Sequence, residues 1–174
     1  YWGRGDTDAI NRCIGIGFYL AGAISAVFAL VMFCFPEQLM RLLTNNEELI
    51  PLAAGYARIV GVSYLLNSIT GVYTGAHRSM ENPQLGLWIY AASMLTNTFL
   101  NWVFIFGNLG APRLEVEGAA IATLTSRIVE FAIMVVYAAK NRRFRLKLSL
   151  CLRPDRALVE KFCRFATPVV VNET

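Results

Sequence analysis

The sequence is poor in the residues that build catalytic and metal centres. It has one histidine, His77, with no HExxH or other ligand spacing around it, and four cysteines, Cys13, Cys34, Cys151 and Cys163, with no CxxC pair. An enzyme would need a nucleophile with a base, or a metal set, and neither pattern occurs. No catalytic residue, no metal and no cofactor is therefore expected, and the cysteines read as small hydrophobes and free thiols. Charge is scarce too, at 16% of residues. Cys13 to Phe35 contains no charged residue at all, and it is too long for the ~7–15-residue apolar core of a signal peptide.

What the sequence has instead is apolar length. Four stretches, Cys13 to Phe35, Ile50 to Gly75, Leu85 to Phe106 and Gly118 to Ala139, each reach the ~20 residues that a hydrocarbon core of ~30 Å requires at ~1.5 Å per helical residue. A fifth opens at Phe165. The fold class expected is all-α, a polytopic transmembrane helix bundle with four complete membrane helices plus the start of a fifth. With no initial Met and an apolar run still open at Thr174, the chain reads as a piece of a longer protein. Its parts would be 1–140, a partial amino-terminal bundle, 141–164, a basic cytoplasmic linker, and 165–174, the start of a second bundle.

Charge placement gives the orientation. With the loops alternating across four spans, twelve of the sixteen Lys and Arg fall on one side, most of them between Lys140 and Arg164. Only Arg41 and Arg113 fall on the other, so the Lys140 to Arg164 loop is expected in the cytoplasm. Juxtamembrane basic residues next to anionic lipid account for the net charge of +4 without a nucleic-acid partner. His77 is expected in a cytoplasmic turn closed by Pro83.

Small residues at every fourth position, Gly17, Ala21, Ser25 and Ala29 in the first span and Ala53, Ala57, Gly61 with Gly71, Gly75 in the second, predict close helix packing. Pro36 should end the first span, Asn45 and Asn46 should cap the second, and Gly107 should stop the third. Three spans carry polar stripes. At ~100° per residue, Tyr56, Ser63, Asn67, Thr70 and Thr74 share one face of the second. Ser93, Asn97 and Asn101 line the third. Thr123, Arg127 and Glu130 line the fourth, with Ser126 and Tyr137 beside them. Tyr56, Asn97, Asn101 and Thr123 lie roughly 8–14 Å below the outer boundary, a depth at which they could meet in one pocket. Arg127 and Glu130, at i and i+3, suit an intramembrane ion pair. Arg58 projects away from its stripe and reads as a packing residue. Trp88, Trp102, Tyr90 and Tyr137 read as interfacial aromatics.

These residues resemble the multidrug and toxic compound extrusion (MATE) transporters. The likeness runs through Tyr1-Trp2-Gly3-Arg4-Gly5-Asp6, Ala57-Arg58-Ile59-Val60-Gly61, and Asn97-Thr98-Phe99-Leu100-Asn101 leading to Phe106-Gly107. It continues in the stretch Ala111-Pro112-Arg113-Leu114-Glu115-Val116-Glu117-Gly118-Ala119-Ala120-Ile121-Ala122-Thr123 and in Ala166-Thr167-Pro168-Val169-Val170-Val171-Asn172-Glu173. The resemblance implies two six-helix bundles around a central cavity, with this chain supplying helices three to six and the opening of helix seven. It implies export of cationic or amphipathic compounds in exchange for Na⁺ or H⁺. In members with a carboxylate-centred pocket, the positions of Tyr56, Asn97, Asn101 and Thr123 line it, and Asn101 stands where those members carry Asp.

The expected function is thus a secondary antiporter of the bacterial cytoplasmic membrane, acting as a monomer on small-molecule substrates among membrane lipid. The substrate-binding candidates are Tyr56, Asn67, Asn97, Asn101 and Thr123. The ion-coupling candidates are Glu130, Glu173 and Arg127, with Glu173 favoured because Arg127 should hold Glu130 ionised. A lipid-linked oligosaccharide flippase or polysaccharide exporter of the same superfamily would want a more basic cavity. A non-transporting membrane scaffold leaves the three stripes unexplained.

Overall fold

The computed structural model describes residues 2–141, 144–151, 158–160 and 164, and all regular structure among them is helical. A 3-10 turn at Trp2–Arg4 leads to α1 (Thr7–Cys34), α2 (Pro36–Leu43), α3 (Leu49–Ser79), α4 (Gln84–Phe106), a second 3-10 turn at Asn108–Gly110, α5 (Glu115–Lys140) and a short α6 (Leu148–Cys151). Four of these, α1, α3, α4 and α5, are long and apolar enough to cross a membrane. The chain is a multi-pass membrane protein. Large apolar side chains such as Ile24, Leu30, Phe33, Met94 and Leu95 lie exposed on its flanks, as a lipid solvent allows.

The ends of the helices follow local chemistry. Asp6 caps α1, its carboxylate accepting the Ala9 N–H at 2.9 Å. Pro36 does not simply end that helix. It sits at the first position of α2, where its missing N–H costs nothing, and so opens an eight-residue helix directly after α1. Asn46 does not cap α3 directly. Its Oδ1 accepts the Glu48 N–H at 3.0 Å, and Glu48 occupies the cap position. At the far end α3 runs a turn beyond Gly75 and takes His77 into the helix. Gly107 stops α4 in the left-handed conformation, φ 73°, which an L side chain adopts only with strain.

Successive spans alternate in direction, and α5 packs along both α4 and α3, with α1 on the far side of α3. The small-residue ridge of α1 is the α1–α3 contact. A Cβ on Gly17 would lie 2.8 Å from Val72, Ser25 and Ser68 share a hydrogen bond of 3.0 Å, and Gly61 faces Met32 and Ala29. Gly71 and Gly75 meet nothing within 4 Å, so the second half of the α3 ridge is not used between the described helices. α4 and α5 meet at Gly118, where a Cβ would stand 2.8 Å from the Phe104 carbonyl, and again where the Ser93 hydroxyl donates to the Ser126 carbonyl at 3.3 Å.

Residues 144–151 do not form a loose linker. They fold back onto the first half of α1, with Phe144 buried beside Ile10, Ile14 and Met80. The expected start of a second bundle, 165–174, and with it Glu173, lies outside the described residues, as does Cys163.

Candidate functional site

The polar stripe of α3 is mostly spent on its own backbone. Ser63 donates to the Val60 carbonyl, Thr70 to Leu66, and Thr74 to Thr70 while also bonding the Tyr90 hydroxyl at 3.1 Å. These bonds satisfy the hydroxyls without a ligand.

The stripes of α4 and α5 behave differently, because they face each other. Asn97 donates from Nδ2 to Thr123 Oγ1 at 3.4 Å, and the Thr123 hydroxyl donates to the Ala119 carbonyl at 2.9 Å. Asn101 donates from Nδ2 to Asn97 Oδ1 at 3.0 Å. The chain of donors begins at Asn101, whose Oδ1 is buried and accepts no hydrogen bond among the described residues. A buried carbonyl oxygen without a partner costs about 1–3 kcal/mol, so its place here is informative. Tyr56 and Asn67, half-buried on α3, stay outside this hydrogen-bonded group. The physical reason is the position of α5. α3 and α4 meet mainly near their connecting turn, at Thr74, Gly86 and Tyr90, and α5 packs along both.

One and two turns further along α5, Arg127 and Glu130 form the expected pair at 2.5 Å. Glu130 is 0% exposed, whereas the Arg127 side chain is 32% exposed. The carboxylate is therefore inside the protein and the guanidinium at its edge. Glu130 Oε1, like Asn101 Oδ1, is buried without a hydrogen-bond partner among the described residues. Arg58 is exposed and makes no ion pair among the described residues.

A third polar group went unread in the sequence. His77 is not in a turn but buried in α3, with Nδ1 3.1 Å from the Tyr73 carbonyl and Nε2 3.4 Å from Asn141 Nδ2. That pattern assigns the proton to Nδ1 and makes Nε2 the acceptor. Its ring packs against Tyr73, Tyr137 and Phe144 at centroid distances of 4.3, 5.7 and 5.8 Å. Tyr137, half-buried near the end of α5, accepts from Asn82 through its hydroxyl at 3.0 Å. The only local signal was the four-residue spacing of Tyr73 and His77. Asn82, Tyr137 and Asn141 are brought in by the tertiary fold.

Membrane-length helices alternating in direction, locked by small-residue contacts and holding amide side chains between them, define part of a polytopic transmembrane bundle. The chain belongs to the MatE family, which it matches over residues 1–103. It is 25% identical to the probable multidrug resistance protein YoeA of Bacillus subtilis, over 98% of this chain and 38% of that protein. It is 26% identical to the probable multidrug resistance protein NorM of Thermotoga maritima, over 98% of this chain and 36% of the relative. Two solved structures share the fold. One is an inward-facing MATE family transporter of the MOP superfamily, at TM-score 0.70 and 18% identity, covering 91% of this chain and 41% of that one. The other is a MOP superfamily transporter from Pyrococcus furiosus, at TM-score 0.73 and 22% identity, covering 96% and 39%. The chain thus spans well under half of the proteins it matches.

Proposed function

We propose that the protein to which this chain belongs is a secondary active antiporter, exporting cationic or amphipathic compounds in exchange for Na⁺ or H⁺, and that Asn97, Asn101 and Thr123 contribute to its substrate or ion pocket. The observation that carries this reading is Asn101 Oδ1, an acceptor left open at the end of a hydrogen-bonded chain between two membrane helices. An oxygen so placed suits a hard cation or an ammonium group, which would supply the missing partner. An amide cannot titrate, so this cluster alone favours cation binding over proton exchange. A proton-coupled cycle would need a carboxylate elsewhere, and Glu173 remains the candidate for that part. The relatives named as multidrug resistance proteins support the export reading.

The test is export of a fluorescent lipophilic cation by the full-length protein in proteoliposomes under an imposed Na⁺ or H⁺ gradient. Asn101→Ala should slow export about tenfold, the equivalent of ~1.4 kcal/mol, at unchanged membrane abundance. Thr123→Ala should act in the same direction and Asn67→Ala should have little effect. Full activity in Asn97→Ala, Asn101→Ala and Thr123→Ala alike would reduce the cluster to helix contacts. Indifference to lipophilic cations, with movement of a lipid-linked oligosaccharide, would favour the polysaccharide-exporter reading.

A further inference from the structure

The segment after α5 is written as an alternation. Phe144 and Leu146 are apolar, Arg145 and Lys147 are basic, and the structure turns the two sets opposite ways. Phe144 is buried against Ile10, Ile14 and Met80, while Leu146 packs against that cluster and also against the one formed by Tyr73, Leu85, Ile89 and Met134. Arg145 and Lys147 are exposed. A basic tether on the cytoplasmic side needs the charges but has no use for the apolar alternation.

The docking is specific as well as apolar. Asn11 of α1 is 0% exposed and reads the segment's backbone from both ends of its amide. Its Nδ2 donates to the Arg145 carbonyl at 3.2 Å and its Oδ1 accepts the Lys147 N–H at 2.9 Å, as a neighbouring β-strand would do. The Asn11 carbonyl accepts the Cys151 thiol at 3.2 Å. Gly15, one turn on, leaves room for nothing larger, since a Cβ there would fall 2.2 Å from the Cys151 carbonyl oxygen. Lys147 pairs with Asp8 at 2.6 Å. At the near end the Phe144 N–H donates to Asn141 Oδ1 at 3.2 Å, and Asn141 also faces His77. Leu146 and Leu148 then close one end of an apolar cleft of about 570 Å³ between α1, α3 and α5, walled by Phe18, Leu65, Ile69 and Phe131.

We propose that Phe144–Cys151 is a strap belonging permanently to this bundle, clamped by Asn11, and that it seals the base of the cleft. The joint about which a following bundle moves then lies beyond Cys151, not at the end of α5. The joint rests on the antiporter reading above, but the clamp does not.

Two measurements on the full-length protein separate them. Hydrogen exchange in detergent should show the strap amides protected in the wild type and exchanging at least tenfold faster in Asn11→Ala, with α3 to α5 unchanged. Asp8→Ala, which removes only an exposed pair, should keep most of the protection. Equal, rapid exchange in wild type and Asn11→Ala would overturn the clamp, whatever the protein transports. If Asn11→Ala loses protection throughout, the wild-type and Asp8→Ala strap amides decide alone: protection upholds the clamp and rapid exchange in the wild type overturns it. In the second measurement, Asp8→Cys with Lys147→Cys is joined by a short bifunctional thiol reagent in proteoliposomes, and export should stay within about twofold of the unlinked sample. Abolition of export by the link would show that the strap must detach during the cycle and would overturn its permanence. A protein that exports nothing before linking would count against the antiporter reading, while the exchange data would still decide the clamp.

Discussion

Glu130 is the one carboxylate fully enclosed among the described residues, and Arg127 compensates it from the edge of the protein. Removing one partner of such a pair leaves the other uncompensated, at about 3–5 kcal/mol for a fully buried charge. Arg127→Gln should therefore destabilise more than Glu130→Gln, because the residue left behind is the deeper one. The double variant should regain much of the loss. Thermal melting of purified protein in detergent checks the order, and a double variant worse than Arg127→Gln would contradict the ion-pair account. This pair was legible in the sequence because i, i+3 spacing on one helix is local information. Asn97 with Asn101 was legible for the same reason. The failure of Tyr56 and Asn67 to join them was not, since depth along a helix says nothing about which helix stands between.

At the scale of elements, hydropathy located the four spans found among the described residues, because a bilayer forces about twenty apolar residues into each crossing. It misplaced ends. Polar residues inside a span end, such as His77, look like loop until Tyr137 and Phe144 are known to cover them. α2 was missed because eight residues of mixed polarity after a proline give no length signal. The small-residue pattern was legible as close packing along α1 and at Gly61, but not at Gly71 and Gly75, and it did not include Gly118, where α4 and α5 approach as closely as α1 and α3 do at Gly17. Gly118→Val should lower the melting temperature and the folded yield, at roughly 1–3 kcal/mol of overpacking, because the added atoms meet the Phe104 backbone and not a movable side chain. Gly55→Ala, with open space at its Cβ, is the matched control. Similar losses in both would contradict close α4–α5 packing.

For the whole molecule, the orientation inferred from charge is open to a thiol experiment, and the structure changes its design. Cys34 is exposed and should react from outside with an impermeant maleimide. Cys151 is a poor reporter of the other side, being buried, with burial pushing its thiol above the ordinary value. Since the thiolate is the reacting form, its labelling should be slow at neutral pH and speed up as pH rises. An exposed neighbour, Ser149→Cys, should label quickly in inside-out vesicles and not in intact cells. Rapid labelling of Ser149→Cys in intact cells would reverse the orientation.

The place of α5 also has a consequence for how the chain is made. Spans enter the bilayer in the order they are synthesised, so α3 and α4 arrive as a hairpin before α5 exists. In the finished bundle that hairpin touches mainly near its turn, and α5 packs along both arms. The fourth of the described spans to emerge is therefore the keystone of the three already inserted. Asn101 can already donate to Asn97 along α4, but the Asn97 Nδ2 has to wait for its partner until Thr123 arrives.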